Sequence, residues 1–153
     1  SIAYAGDEAS LGMPYALLND TTGYSRAARE IHSPLFANKV NIEEGKRLYL
    51  IFCQHCHGKE GHGDGAISKN GLIAGIPDYA TKLKDLEEGK MYHTLQYGKG
   101  LMGSHASQLN QKERWQILEW VKCLQKGNAS PVFDAKGMLE VAASEVAADS
   151  TKK

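Results

Sequence analysis

Two thiols and two imidazoles fall within five consecutive residues, Cys53-Gln54-His55-Cys56-His57. Cysteines three apart can each add to one vinyl group of a haem, forming two thioethers. The imidazole that follows is then held against the iron as an axial ligand. The pentapeptide therefore predicts covalent attachment of one haem c through Cys53 and Cys56, with His57 as the proximal ligand. Three other chemistries use the same residue types. A structural zinc needs four ligands, usually from a second Cys or His pair, yet the only other cysteine is Cys123 and no second pair follows it. A dithiol redox pair expects βαβ surroundings, where this chain has helical patterning and glycine-rich loops. A Cys53–Cys56 disulfide leaves His57 without a role. Cys123 reads as a buried helix residue, since free cysteine packs as a small hydrophobe.

An iron that passes electrons without binding small molecules needs a second protein ligand. Methionine raises the reduction potential, histidine lowers it, and an empty position admits ligands. The candidates are Met13, Met91, Met102 and Met138, with His32, His55, His62, His93 and His105. Met102 sits in Gly98-Lys99-Gly100-Leu101-Met102-Gly103, where glycines let the backbone approach a haem face and project one side chain at the iron. It is the preferred sixth ligand, with His105 and Met91 as rivals. Met91 falls inside a helical pattern, where methionine more often fills a core. His55 is expected to face solvent and His62 to lie in a loop. His32, His93 and His105 are expected on the surface or in local hydrogen bonds. Tyr97, Trp115 and Trp120 read as haem-pocket aromatics or as helix packing.

The elements that must position these groups are helical. Asn41-Ile42-Glu43-Glu44, Asp85-Leu86-Glu87-Glu88 and Asn110-Gln111-Lys112-Glu113 each place a capping residue three before a glutamate, the pattern of a helix start. The first helix runs into the Cys/His motif and carries Leu48, Tyr49 and Phe52 on one face, with Gly45 on that side permitting close packing. The second carries Tyr92 and Leu95 and stops at Gly98. The third carries Trp115, Leu118, Val121 and Leu124 along one stripe and stops at Gly127. No alternating strand pattern occurs, so the class is all-α.

Residues 41–127 thus form the predicted haem domain. Residues 1–40 hold apolar side chains with no sustained period and read as an extended N-terminal arm, packed on the haem domain or on a neighbouring protein. Residues 128–153 read as a low-complexity tail that is ordered only against a partner, with a candidate helix at 135–148 whose apolar face is thin. A domain of this size buries limited apolar area, so the porphyrin must complete its core.

Formal net charge is zero, with +2 on the middle segment and −1 on each end. No basic stripe suggests nucleic acid, and no apolar run approaches the ~20 residues that cross a bilayer. Lys82, Lys84, Lys90 and Lys99 read as a solvated face rather than a docking cluster. Haem c is attached outside the cytoplasm, so the motif implies export, with any signal peptide already removed.

The middle segment resembles class I cytochromes c. The resemblance rests on Cys53-Gln54-His55-Cys56-His57-Gly58 after a helix, the Gly61-His62-Gly63-Asp64-Gly65 loop, the late methionine and the closing helix with Trp120-Val121-Lys122-Cys123-Leu124. It is closer still to the monohaem cytochrome c subunits of bacterial alternative complex III, through Cys56-His57-Gly58-Lys59-Glu60-Gly61, residues 89–109, Glu113-Arg114-Trp115 and Trp120-Val121. The resemblance spans roughly residues 41–125. It implies a class I helical fold, thioethers at Cys53 and Cys56, axial ligands His57 and Met102, and a proline carbonyl, here from Pro77, that orients the proximal histidine. Many soluble relatives follow the ligand methionine with proline; here Gly103 follows, as in the complex subunits.

The resemblance further implies an electron-transfer protein, not itself an enzyme, in a membrane quinol-oxidising respiratory complex. Its partners would be other subunits, including a multihaem cytochrome, and a terminal oxidase or mobile acceptor. Its place would be the periplasmic side of the bacterial inner membrane, peripheral or lipid-anchored. The alternatives are a free periplasmic carrier, or a haem-based sensor or enzyme with a displaceable sixth ligand.

Overall fold

A computed structural model describes Gly6 and residues 8–140. After a short 3-10 turn at Glu8–Ser10 come α1 (Thr21–Glu30), α2 (Lys39–Phe52), the single turns α3 (Gln54–His57) and α4 (Ala66–Lys69), α5 (Glu88–Tyr97) and α6 (Gln111–Gln125). Pairing among the described residues is limited to isolated bridges, Asn38 with Met138, Lys99 with Met102 and Phe133 with Leu139. The fold of the described residues is all-α, as expected.

The centre is the crossing of α2 and α6. Ile42, Leu48 and Tyr49 meet Trp115, Ile117, Leu118, Trp120, Val121 and Leu124, all buried. A Cβ on Gly45 would collide with the Gln116 carbonyl, so glycine allows the two backbones to approach this closely. Helix α6 starts with the expected capping box: Asn110 accepts from the Glu113 amide at 2.8 Å, and the Glu113 carboxylate accepts from the Asn110 amide at 2.9 Å. Lys122 lies between Glu119 (2.9 Å) and Glu88 (3.3 Å), tying α6 to α5.

The other two helix starts differ from expectation. Asn38, not Asn41, caps α2, accepting from the Asn41 amide at 2.9 Å. Asn41 lies one turn inside and buried, donating to the Phe36 carbonyl and accepting from Gln116 Nε2. Helix α5 begins at Glu88 after Glu87 and has no side-chain cap. Glu88 instead accepts from the Ser33 amide at 2.9 Å and from Lys122.

The ends also differ. Residues 1–40 are not extended throughout, because Asp20 caps α1, accepting from the Gly23 amide at 2.6 Å. The buried residues of α1 are Gly23 and Ala27. A Cβ on Gly89 of α5 would collide with the carbonyl of Ala27. A stripe of Gly and Ala carries no large hydrophobe, and so leaves no apolar period to read. Upstream, Tyr15 packs against Tyr92 (centroids 5.6 Å apart) and the Tyr97 hydroxyl donates to the Leu17 carbonyl at 2.5 Å. At the other end, residues 128–140 fold back on the start of α2. The Lys39 amide donates to Gly137 (2.7 Å) and the Leu139 amide to Ala37 (2.9 Å). Residues 135–140 are not helical, and the rest of the 135–148 stretch lies outside the described residues.

Candidate cofactor site

The Cys/His motif begins where α2 ends. Cys53 is the C-cap of α2 and precedes α3, and its carbonyl accepts from the Cys56 and His57 amides at 3.2 and 2.9 Å. That single turn brings both thiols and the His57 ring to one wall. The loop after it is stapled underneath: the Gly63 amide donates to the His57 carbonyl at 2.7 Å, and the Tyr79 amide donates to the Gly61 carbonyl at 2.9 Å. Gly58 sits at φ +83°, with Asp64 where a Cβ would be. Its carbonyl accepts from the hydroxyl of Tyr49, a fully buried residue, at 2.7 Å.

A cavity of about 740 Å³ opens beside this turn, within the range of pockets that take organic cofactors. Cys53, Cys56, His57 and Met102 all line it, as do Met91 and His105. The structure thus brings both predicted attachment cysteines, both predicted axial ligands and both rivals for the sixth position to one space. Its inner walls are the buried side chains of Leu95, Ile117, Leu118 and Val121, so an apolar ring system inserted there would complete the core. The Met102 loop is a tight reversal, with hydrogen bonds between Lys99 and Met102 in both directions at 2.8 and 3.0 Å. Gly98 must be glycine, since a Cβ there would lie 2.6 Å from the Met102 carbonyl oxygen.

Burial sets the protonation states. It pushes the Cys53 thiol up to about 12, with the neighbouring Cys56 adding to the effect. It pushes the His57 imidazole down to about 4, helped by the charges of His105 and His55. His57 is therefore a neutral ring at ordinary pH, the form that donates a lone pair to a metal. Its Nδ1 is buried with no hydrogen-bond partner, so the bond expected to the Pro77 carbonyl is not made, although Pro77 lines the cavity. Tyr79 instead stacks on the ring, with centroids 5.1 Å apart and planes at 25°. An apolar cavity of this size, two thiols, a neutral imidazole with an orphaned nitrogen and a thioether fit haem c. No group of three or more His, Cys, Asp or Glu placed to hold a metal ion occurs among the described residues, so the zinc reading has no ligand set.

Other expectations resolve one by one. His55 is exposed at the rim and His62 is a loop residue, 3.0 Å from Asp78. His93 is not on the surface: it is buried, with Nδ1 2.8 Å from the Tyr15 hydroxyl. Tyr97, Trp115 and Trp120 do not line the cavity. Trp115 stacks on Tyr92 with centroids 4.4 Å apart, and Lys46 lies over the Trp120 ring. Cys123 is buried in α6, and burial pushes its thiol up to about 11. Tyr79 and Tyr24 of α1 are cavity residues that periodicity did not reveal. The one available signal for Tyr24 was the Asp20-Thr21-Thr22-Gly23 cap before it.

Residues 40–121 match the family model described as cytochrome c oxidase, cbb3-type, subunit III. No curated protein matches the chain.

Proposed function

The chain belongs to that cytochrome c family, and from this premise we propose that it is a monohaem electron carrier within a membrane quinol-oxidising respiratory complex of the alternative complex III type. A cytochrome c domain carries covalently bound haem c and serves electron transfer. When bound, haem c supplies a one-electron Fe(III)/Fe(II) couple. Cys53 and Cys56 would form the two thioethers, each thiol adding across one vinyl group. His57 and Met102 would supply the two protein ligands to its iron. The observation that carries this reading is that all four residues line one apolar cavity.

With His57 and Met102 both held for the iron, the protein would leave no position there for a substrate, and the bound group would serve one-electron transfer. The buried side chains of Leu95, Ile117, Leu118 and Val121 would exclude water from a bound haem. The donor would be a multihaem cytochrome subunit and the acceptor a terminal oxidase or a mobile carrier, on the periplasmic side of the inner membrane. The resemblance of residues 89–109 to the complex subunits supports this assignment over a free carrier.

Two measurements test it. Denatured wild-type protein should retain haem through gel electrophoresis and Cys53→Ala/Cys56→Ala should not; haem retained by the double variant would overturn the attachment. Native purification should recover the chain with quinol-oxidising subunits. Recovery as a lone soluble protein would favour the free carrier, and rapid carbon monoxide binding to the reduced protein would favour a sensor or enzyme.

A further inference from the structure

We propose that Tyr24 and Lys99 form a carboxylate clamp for a haem propionate, so that the N-terminal helix α1 is part of the cofactor site. This rests on the haem reading above. Haem is apolar except for its two propionates, which carry its negative charge at one edge. A cavity shaped to hold it must place a cation and hydrogen-bond donors at that edge, because an unpaired carboxylate at an apolar wall is costly. Among the side chains that line the cavity, Lys99 alone is a lysine or arginine, and none is Asp or Glu.

Lys99 is not a free surface lysine. Its Nζ lies 2.9 Å from the Tyr24 hydroxyl and 4.1 Å from the centroid of the Tyr24 ring. The ammonium donates one proton to the phenol oxygen and keeps two, while the phenol keeps its own O–H. The pair therefore presents N–H and O–H donors side by side, which is what one carboxylate accepts. Tyr24 is held from behind. Lys90 Nζ sits 5.3 Å from its ring centroid, and His93 packs edge-on at 5.9 Å. Helix α1 is docked closely enough for this, because Gly23 and Ala27 are buried and Gly89 admits the Ala27 carbonyl.

Tyr24 lies outside residues 40–121, the span of the family match, so α1 adds this contact to the shared domain. Lys99 precedes Met102 by three residues and bonds to it in both directions through the backbone. The clamp therefore also fixes the loop that carries the sixth ligand.

The test uses full-length holoprotein. Lys99→Gln and Tyr24→Phe are compared with wild type and with Lys39→Gln, which removes a lysine at the start of α2 away from the cavity. All four should keep covalent haem in denaturing gels; a wild type without it would sink the haem reading itself, not the clamp alone. Removing the cation at the propionate favours the oxidised state, so Lys99→Gln should shift the oxidised-to-reduced ratio at fixed ambient potential by about three- to fivefold. Lys99→Arg should restore it. The pH window in which the potential falls, set by propionate ionisation, should move upward in both Lys99→Gln and Tyr24→Phe, because each removes a group that favours the carboxylate. Potentials and pH profiles that match wild type, or a Lys39→Gln shift equal to that of Lys99→Gln, would overturn the clamp.

Discussion

Gly45 on α2 and Gln116 on α6 meet backbone to backbone, with the Gln116 carbonyl in the space that a Cβ on Gly45 would fill. Gly45→Ala would drive a methyl into a main-chain oxygen that cannot rotate away, so the helices must separate. The expected loss is about 1–3 kcal/mol, read as a lower denaturant midpoint. An unchanged midpoint would mean that α2 and α6 cross more loosely than this.

Met102→Ala should open the iron to carbon monoxide, remove the Met-to-iron charge-transfer band at the red end of the spectrum and lower the potential. His105 and Met91 share the cavity, so His105→Ala and Met91→Leu are the needed companions. If one of these opens the site while Met102→Ala does not, the sixth ligand moves to that residue.

Trp115 is 4% exposed and stacked on Tyr92. Trp115→Ala should cost about 3–5 kcal/mol without changing the haem spectrum, because the ring does not line the cavity. A loss below about 1 kcal/mol would contradict the stacked, buried position.

His93 adds a pH dependence of known sign. Burial lowers its pKa, with Asp20 opposing, so the folded chain resists protonation at a site that titrates near ~6.5 when unfolded. Its stabilising contribution is complete above that value and is lost as pH falls towards the lowered folded value. Tyr15 cannot donate to Nδ1 once that atom is protonated. Denaturant midpoints should fall as pH is lowered from neutral through ~6.5, less steeply in His93→Phe. Equal slopes in both proteins would assign the acid sensitivity elsewhere.

Deleting residues 1–30 should destabilise the domain. The segment contains Leu17 and Ala27, both buried, and Tyr15, whose removal would take one packing neighbour from Tyr92 and leave the Nδ1 of His93 without its hydrogen-bond partner. The loss should exceed about 2 kcal/mol, with covalent haem retained, since the Cys/His motif lies far along the chain. Full stability after the deletion would make the arm a peripheral addition.

How far the sequence reached depended on the range of the forces involved. Local rules were enough where a few consecutive residues satisfy one another. The reciprocal cap between Asn110 and Glu113 and the Trp115-to-Leu124 stripe of α6 follow from helix geometry alone, as does the all-α class. The sequence failed where a residue chose a distant partner over a local one. Asn41 could cap a helix, yet packing against Gln116 moved that task to Asn38. Glu88 left its own helix start for Ser33 and Lys122. Helix α1 buries Gly23 and Ala27, whose small side chains give no hydrophobic period; the Leu18 carbonyl fills the space beside Gly23, and Gly89 on α5 makes room for the Ala27 carbonyl. The gathering of Tyr24 from α1, the Cys53–His57 turn after α2 and the Lys99–His105 loop at one cavity is likewise tertiary, because these distant segments are brought together only by the crossings of α1 on α5 and α2 on α6.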